Sequence, residues 1–252
     1  MAAFNRLGDQ LSEQRRTESL LQRYVPATVT RRVLDEPTPA SLHSTGMEGS
    51  VLFCDVAGYT ALSENLPARE VVALLNEYFG RITAAAHSCG GTVDSFSGDC
   101  AIILFGGTGP DPLHALHAAT CAVLIRETVR RINRRRLAGG LTAVRFHLGL
   151  NSGPMALCNL GGKERMQHTV IGDTVNVASR LCNVAQPGEI LVGEESVRQP
   201  QVAERLQLKP LPPRRVRGRH RQVACYRIES LATEHERQLQ RILDQIIPLE
   251  RR

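Results

Sequence analysis

Apolar residues along this chain fall into short continuous runs and into longer stripes at helical spacing. Short runs bounded by turn residues are typical of buried strands, and stripes of period 3.6 predict amphipathic helices. Proline near a helix start and glycine after its end give the boundaries. In chain order the pattern predicts a strand over 50–56, a helix over 67–91, a hairpin over 92–106, a helix over about 112–137, strands over 143–153, 155–161 and 166–172, a helix capped by Asp173 over 173–185, and a helix within 231–252.

The length allows one large domain with extensions, and the composition is that of an ordinary globular protein. Apolar residues make up 42% and charged residues 22% of the 252 residues. We interpret 1–46 as an N-terminal helical extension, 47–230 as the main domain and 231–252 as a C-terminal helical tail. No apolar run is long enough to cross a bilayer, and the N-terminus lacks the apolar core of a signal peptide. We therefore expect a cytoplasmic protein without a membrane segment.

The net charge of +6 comes almost wholly from arginine, with runs at 130–136 and 212–221. Such runs raise the question of a nucleic-acid partner. Aromatic residues make up only 4% of the chain and none lies within the runs, so no platform for base stacking is evident. We expect the first run to be a solvated helix face. A non-catalytic nucleic-acid-binding module is the less favoured function.

Two aspartates lie where predicted strands end. Asp55 closes the first strand, and Asp99 lies in the turn Ser97-Gly98-Asp99 of the hairpin that follows the first long helix. In a βαββ arrangement the end of the first strand and the tip of the next hairpin can be neighbours. Two exposed carboxylates there suit hard divalent cations, which prefer oxygen ligands and open coordination. The alternative is that both aspartates simply form turns, because Gly-Asp is a common turn pair.

The residues after the first strand, Ala57, Gly58, Tyr59 and Thr60, turn the chain from strand into helix. Backbone N–H groups in such a turn can point one way and bind phosphate oxygens. The segment lacks the glycine and lysine pattern of a Walker loop. The spacing alone therefore does not define a phosphate site.

Asn176 and Arg180 are four residues apart on the last helix of the main domain and therefore share one face. A neutral donor beside a guanidinium suits a phosphorus centre that carries charge on its equatorial oxygens. Arg217, in the second basic run, could likewise reach a terminal phosphate. The competing interpretation is a solvent-facing polar stripe and a solvated loop.

Four segments together resemble the catalytic domain of the class III nucleotidyl cyclases, which adenylyl and guanylyl cyclases share. They are VLFCDVAGYTALSE, GGTVDSFSGDCAIILFG, NSGPMALCNLGGKERMQHTVIGDTVNVASRL and VRGRHRQVACYRI, in the order and spacing of that family. The resemblance covers about residues 50–228. It implies an α/β (α+β) domain with a ferredoxin-like βαββαβ core that works as a head-to-tail homodimer, with each active site shared between subunits.

By this resemblance, Asp55 and Asp99 would hold two Mg²⁺ or Mn²⁺ ions per active site, with the carbonyl of Val56 as a further ligand. The turn 57–60 would bind the triphosphate, and Arg217 stands where the family has a phosphate-binding lysine. The implied reaction is metal-dependent conversion of a nucleoside triphosphate to a 3′,5′-cyclic nucleotide and pyrophosphate. The chain would then be a lyase that synthesises a second messenger.

The resemblance also implies that the opposite subunit supplies Asn176 to orient the ribose and Arg180 to stabilise the transition state at the α-phosphate. The base would be read at Ser95 and Thr169. Adenylyl cyclases have lysine at the position of Ser95 and guanylyl cyclases have glutamate, whereas Thr169 fits the adenylyl pattern. Loss of a charged donor to the base removes roughly 1.5–3 kcal/mol of discrimination.

Three interpretations of the substrate follow. One is an adenylyl cyclase, ATP to cAMP, with a non-standard base pocket. Another is a pyrimidine cyclase that converts UTP or CTP to cUMP or cCMP, as bacterial cyclases of anti-phage (antiviral) defence do. The third is a degenerate regulatory cyclase, which the presence of Asp55, Asp99, Asn176 and Arg180 disfavours. A lone cyclase domain is the organisation of the defence enzymes, and this analogy tilts the hypothesis slightly toward a pyrimidine.

Overall fold

The computed structural model describes residues 44–107, 109–162, 165–214 and 222–248, so most of the predicted N-terminal extension lies outside the described residues. The strands are β1 (Thr45–Val56), β2 (Thr92–Ser97), β3 (Cys100–Phe105), β4 (Phe146–Gly162), β5 (Arg165–Ile171), β6 (Ile190–Gly193), β7 (Leu206–Arg214) and β8 (Val223–Leu231). The helices are α1 (Tyr59–Asn65), α2 (Ala68–Ser88), α3 (His114–Ala138), α4 (Asp173–Val184), α5 (Glu194–Val197), α6 (Val202–Arg205) and α7 (Thr233–Ile246).

All eight strands of the described residues belong to one sheet, in the order β2-β3-β1-β4-β6-β8-β7, with β5 paired to β4. β1 lies between β3 and β4 and is antiparallel to both. The chain order β1, α2, β2, β3, α3, β4 therefore builds a βαββαβ core, and the ferredoxin-like fold is confirmed. Because β1 is central, Asp55 near its end is flanked by Cys100 of β3 and by His147 of β4.

Alternation along β1 divides the core in two. Leu52 and Cys54 pack into a cluster with α2, α3 and α7, whereas Val51 and Phe53 pack into a cluster with α4. Burial on both faces explains why this strand is a continuous apolar run rather than an alternating one. By the same alternation Asp55 belongs to the α4 face of the sheet.

The two long helices that the apolar stripes predict are α2 and α3. α2 buries a stripe that includes Leu74, Tyr78 and Ile82. The Tyr78 hydroxyl donates a hydrogen bond of 2.6 Å to Asn133 Oδ1 of α3. In the described part of the chain, neither these helices nor the shorter ones combine the length and apolar character needed to cross a membrane.

Two details of the predicted elements are wrong. The separate strands expected at 143–153 and 155–161 are one strand, β4, because its pairing with β1 continues through Pro154 without a shift in register. Asp173 does not cap α4 but is its first residue, and Gly172 occupies the capping position without a side-chain hydrogen bond. An acidic residue in the first turn is still favourable, because the helix N-terminus carries partial positive charge.

α4 lies directly against β4. A Cβ atom on Gly149 would come within 2.2 Å of the backbone nitrogen of Cys182 and 2.3 Å of the carbonyl oxygen of Ala178. A glycine is therefore needed for this close approach. The contact fixes the position of the helix that carries Asn176 and Arg180.

The first arginine run, 130–136, is not simply the solvated face that its composition predicts. Arg131 is 6% exposed and donates hydrogen bonds to the carbonyl oxygens of Leu243 and Ile247 and to the carboxylate of Asp244. Cations at the C-terminal end of a helix are stabilised by its free carbonyl groups. Arg131 therefore anchors α7 to α3 and is not available to a nucleic acid.

Candidate active site

The end of β1 and the tip of the β2–β3 hairpin are neighbours. Asp55 lies opposite Cys100, the first residue of β3, and the backbone N–H of Val56 donates a 3.3 Å hydrogen bond to the carbonyl oxygen of Asp99. Both aspartates are half-buried. Burial raises the pKa of Asp55 above its ordinary value, and the negative charge of Asp99 raises it further. The two carboxylates are therefore close enough to repel each other.

This pair of carboxylates fits a divalent cation. A cation between them would remove the repulsion, and carboxylate oxygens are the ligands that Mg²⁺ and Mn²⁺ prefer. Within the described ranges, no three His, Cys, Asp or Glu side chains are grouped to bind a metal. The protein would therefore supply two carboxylates and the Val56 carbonyl, which leaves coordination positions for phosphate oxygens and water.

The turn after β1 has fewer free N–H groups than its sequence suggests. The N–H of Ala57 donates a 2.8 Å hydrogen bond to the carbonyl oxygen of Arg145 and is used within the fold. Gly58 adopts a left-handed backbone conformation with φ 71°, and α1 begins at Tyr59. N–H groups in the first turn of a helix have no intrahelical acceptor. Phosphate oxygens could therefore be bound by the N–H groups of Gly58, Tyr59 and Thr60.

Beside this turn lies an open cleft of about 600 Å³, whose walls include Ala57, Gly58, Arg145 and His147. His147 pairs with Asp55 across the sheet, and its positive charge would lower the pKa of Asp55, against the effect of burial. Its Nδ1 atom is buried and has no hydrogen-bond partner among the described residues. Neither Arg145 nor His147 stands out in the sequence. The pairing of β4 with β1 in the structure is what brings His147 beside Asp55.

Asn176 and Arg180 lie one turn apart on α4, the first exposed and the second half-buried. In the described part of the chain, neither forms a hydrogen bond or an ion pair with Asp55 or Asp99. Asp55 with Asp99 and Asn176 with Arg180 are thus two polar groups without a direct polar contact in this chain, called below the carboxylate half-site and the Asn–Arg half-site. Arg217 lies outside the described residues.

The two residues expected to read the base are joined by a third. Ser95 Oγ donates a 3.2 Å hydrogen bond to Asp94 Oδ2, and Thr169 Oγ1 donates one of 3.4 Å to the same oxygen. Asp94 is 7% exposed, and burial raises its pKa. Strict alternation would place Asp94 and Ser95 on opposite faces of β2. A β-bulge between Val93 and Ser95 breaks the alternation, so the sequence pattern does not reveal Asp94.

Comparison with known proteins assigns the family. The model of the adenylate and guanylate cyclase catalytic domain matches residues 44–230, and the chain belongs to this class III cyclase family of lyases. Adenylate cyclase 1 of Rhizobium meliloti (strain 1021) is 30% identical over 205 residues, which cover 81% of this chain and 31% of that protein. The adenylate cyclase of Anabaena cylindrica is 31% identical over 188 residues, which cover 72% and 36%. The chain thus spans about a third of the length of these relatives.

Solved cyclase structures have the same fold. The adenylyl cyclase CyaB from P. aeruginosa matches with a TM-score of 0.72 and 30% identity, covering 76% of this chain and 98% of that one. The guanylyl cyclase Cya2 matches with a TM-score of 0.67 and 26% identity, covering 76% and 95%. A bacterial light-regulated adenylyl cyclase, at 22% identity and a TM-score of 0.76 over 95% and 69%, shows likeness of fold alone. Because adenylyl and guanylyl cyclases both match, the fold does not determine the base.

Proposed function

We propose that this chain is a cyclase catalytic domain that converts a nucleoside triphosphate to a 3′,5′-cyclic nucleotide and pyrophosphate with Mg²⁺ or Mn²⁺. One observation carries the proposal. Asp55 and Asp99 lie next to each other at a strand end, where their negative charges repel each other. A helix start and an open cleft lie beside them. This arrangement suits a triphosphate that binds together with divalent cations.

The residues of the carboxylate half-site bind the reacting phosphates. Asp55, Asp99 and the Val56 carbonyl would hold two cations, and the N–H groups of residues 58–60 would orient the triphosphate. When bound, such cations lower the pKa of the ribose 3′-hydroxyl and neutralise phosphate charge. Arg217 would bind a terminal phosphate through its guanidinium.

Asn176 and Arg180 act on the substrate that is bound to a second copy of the chain. The Asn176 amide orients the ribose, and the Arg180 guanidinium stabilises the negative charge that develops at the α-phosphate. In support, among the described residues neither side chain reaches the carboxylate pair of its own chain through a hydrogen bond or ion pair. We infer that the working enzyme is a head-to-tail homodimer with two shared sites.

Exposed apolar side chains on the β4–β5 hairpin support this dimer. Leu160, Met166 and Ile171 are 48%, 56% and 44% exposed. Leu160 lies opposite Gln167 and Met166 opposite Gly161, so the side chains of Leu160 and Met166 point to opposite faces of the hairpin. Both faces of the hairpin therefore carry large exposed apolar side chains, which a second protein surface could bury. We assign the second copy of the chain as the partner that covers them.

The proposal also concerns which base the triphosphate carries. Ser95 in place of lysine weakens the selection of ATP, and the analogy with defence cyclases slightly favours a pyrimidine triphosphate, UTP or CTP, with a role in anti-phage signalling. ATP is the alternative, supported by Thr169 and by the relatives that are named adenylate cyclases. Glutamate, which selects guanine in the family, is absent at position 95.

The purified chain is tested with ATP, GTP, CTP and UTP separately, in Mg²⁺, in Mn²⁺ and in EDTA, and the products are identified by mass. We expect a 3′,5′-cyclic nucleotide and an equal amount of pyrophosphate, formed only when a divalent cation is present. A folded protein that makes no cyclic product from any of the four would contradict the proposal. Steeply salt-dependent nucleic-acid binding by that inactive protein would favour the binding module instead.

A further inference from the structure

We propose that Asp94 selects the base, and that it selects one with an exocyclic amino group beside an unprotonated ring nitrogen, namely adenine or cytosine. The inference rests on the proposed cyclase function and narrows the substrates proposed above, UTP, CTP or ATP, to CTP and ATP. It starts from a buried carboxylate that lies between the two hydroxyls expected to face the base, those of Ser95 and Thr169.

The bulge in β2 places Asp94 in this position. Val93 pairs with Ile103 and Ser95 pairs with Ile102, so Asp94 is the extra residue without a partner on β3. Bulges re-aim side chains and are common beside active sites. Here the bulge brings Asp94 and Ser95, which are neighbours in sequence, into hydrogen-bonding contact on one side of the strand.

The Asp94 carboxylate keeps an unused acceptor. Both of its hydrogen bonds, from Ser95 and Thr169, are made to Oδ2. Among the described residues, no group donates to Oδ1 and no cation pairs with this carboxylate. Although the residue is only 7% exposed, Oδ1 is not one of the fully buried atoms of the described residues that lack a partner, so it is open to a donor from a ligand. A base placed against Ser95 and Thr169 would supply that donor.

Adenine and cytosine have the complementary edge. Each presents an amino donor next to a ring nitrogen that accepts a hydrogen bond. The amino group can donate to Asp94 Oδ1, and the hydroxyl of Ser95 or Thr169 can rotate to donate to the ring nitrogen. A lysine is then not required, which accounts for the small residue at position 95.

Guanine and uracil fit the same edge poorly. Both place a carbonyl oxygen where adenine and cytosine have the amino group, so two acceptors would face each other at Asp94 Oδ1. Guanine could instead offer its N1–H and amino group to both carboxylate oxygens. That pairing competes with the two hydroxyls that already donate to Oδ2.

A purely structural role is the competing interpretation, in which Asp94 only ties β2 to β5 through Thr169. The two roles differ in what they change. A structural tie affects the stability of the protein and lowers turnover of all four triphosphates alike. A selecting residue changes the ratios between them, because the group that meets the base differs.

The test is Asp94→Asn, which keeps the shape but can turn a donor toward the base in place of Oδ1. For wild type we expect kcat/KM for ATP or CTP to exceed the values for GTP and UTP. In Asp94→Asn the ATP/GTP and CTP/UTP ratios should fall by about ten- to hundredfold. Asp111→Asn is the matched control. Asp111 precedes α3, its carboxylate lies 2.9 Å from His117 Nδ1, and its substitution should leave both ratios unchanged.

Two failures are distinguishable. A wild-type preference for GTP or UTP, or unchanged ratios in a folded Asp94→Asn protein, would overturn the inference and leave the cyclase proposal intact. The absence of any cyclic product from wild type would remove the proposed function itself. If Asp94→Asn does not fold, Ser95→Ala and Thr169→Val replace it, and each should lower both ratios by about three- to tenfold. Unchanged ratios in both variants would overturn the inference.

Discussion

Asp94 and Asp99 belong to one hairpin but have different surroundings. Asp99 lies in the turn, half-buried, where its charge raises the pKa of a second carboxylate, Asp55. Asp94 lies in the bulge, 7% exposed, and accepts hydrogen bonds from two hydroxyls. The surroundings of Asp99 suit a bound cation, and those of Asp94 suit a neutral hydrogen-bond donor. Our proposals therefore rest on the surroundings of each carboxylate rather than on its residue type.

The largest effect is expected at the turn. Asp99→Asn removes one of the two carboxylates proposed to bind metal, and kcat for every triphosphate should fall by about a thousandfold or more, because bound metal supplies several kcal/mol of transition-state stabilisation. The assay is cyclic product by mass at saturating Mn²⁺. Since the substitution also removes a charge that opposes ionisation of Asp55, the metal-free variant should melt no lower than wild type. Full activity in this variant would contradict the metal assignment.

The next effect separates the two half-sites. Asp99→Asn and Arg180→Ala chains, mixed as dimers, should recover about a quarter of wild-type activity, because half of randomly paired dimers are mixed and each has one intact site. A matched control mixes Asp99→Asn with Asp55→Asn, which damage the same half-site and should recover nothing. Equal behaviour of the two mixtures would contradict shared sites.

A smaller effect concerns the segment that joins the two carboxylates. Phe96 is 49% exposed and stacks on Phe79 of α2, with ring centroids 4.7 Å apart. Phe96→Ala should lower the free energy of unfolding by about 1–2 kcal/mol through lost stacking and burial. Phe96→Leu, which keeps apolar contact, should lose less. Urea unfolding measures both, and an unchanged midpoint for Phe96→Ala would show that this stacking does not hold the hairpin.

The smallest effect is on pH dependence. Burial raises the pKa of Asp94 in the folded protein, so the folded state holds this proton more tightly than the unfolded state. The resulting stability is fully present below the ordinary Asp pKa of about 4 and is lost as pH rises through the raised value. Asp94→Asn lacks this dependence. The difference in unfolding free energy should therefore move in favour of the variant as pH rises, and a constant difference in urea titrations would contradict it.

The fold could be predicted where periodicity is strong and local. The stripe of α2 and the apolar run of β1 both reflect burial that each segment shows by itself. The break predicted before Met155 was wrong, because Pro154 is a local signal whereas strand pairing with β1 is not. The burial of Arg131 was missed for the same reason, since its partners, Asp244 of α7 and Ile247 just after that helix, lie more than a hundred residues away.

Some residues of the candidate site could be predicted from the sequence and others could not. Asp55 and Asp99 could be picked out because a strand end and a Gly-Asp turn are visible in the sequence. His147 could not, because its place beside Asp55 depends on the register of β4 against β1. Asp94 could not either, because the bulge cancels the alternation from which its direction would be predicted. Side chains placed by pairing between distant segments need the structure.

The division of work between Asp99 and Asp94 has one most direct test. It is kcat/KM of wild type, Asp99→Asn and Asp94→Asn with ATP, GTP, CTP and UTP under the same metal conditions. We expect Asp99→Asn to lower all four values by a similar large factor. We expect Asp94→Asn to lower ATP and CTP relative to GTP and UTP while the protein stays folded and active. If Asp94→Asn lowers all four equally, or Asp99→Asn leaves turnover intact, the assignment of these two carboxylates is wrong.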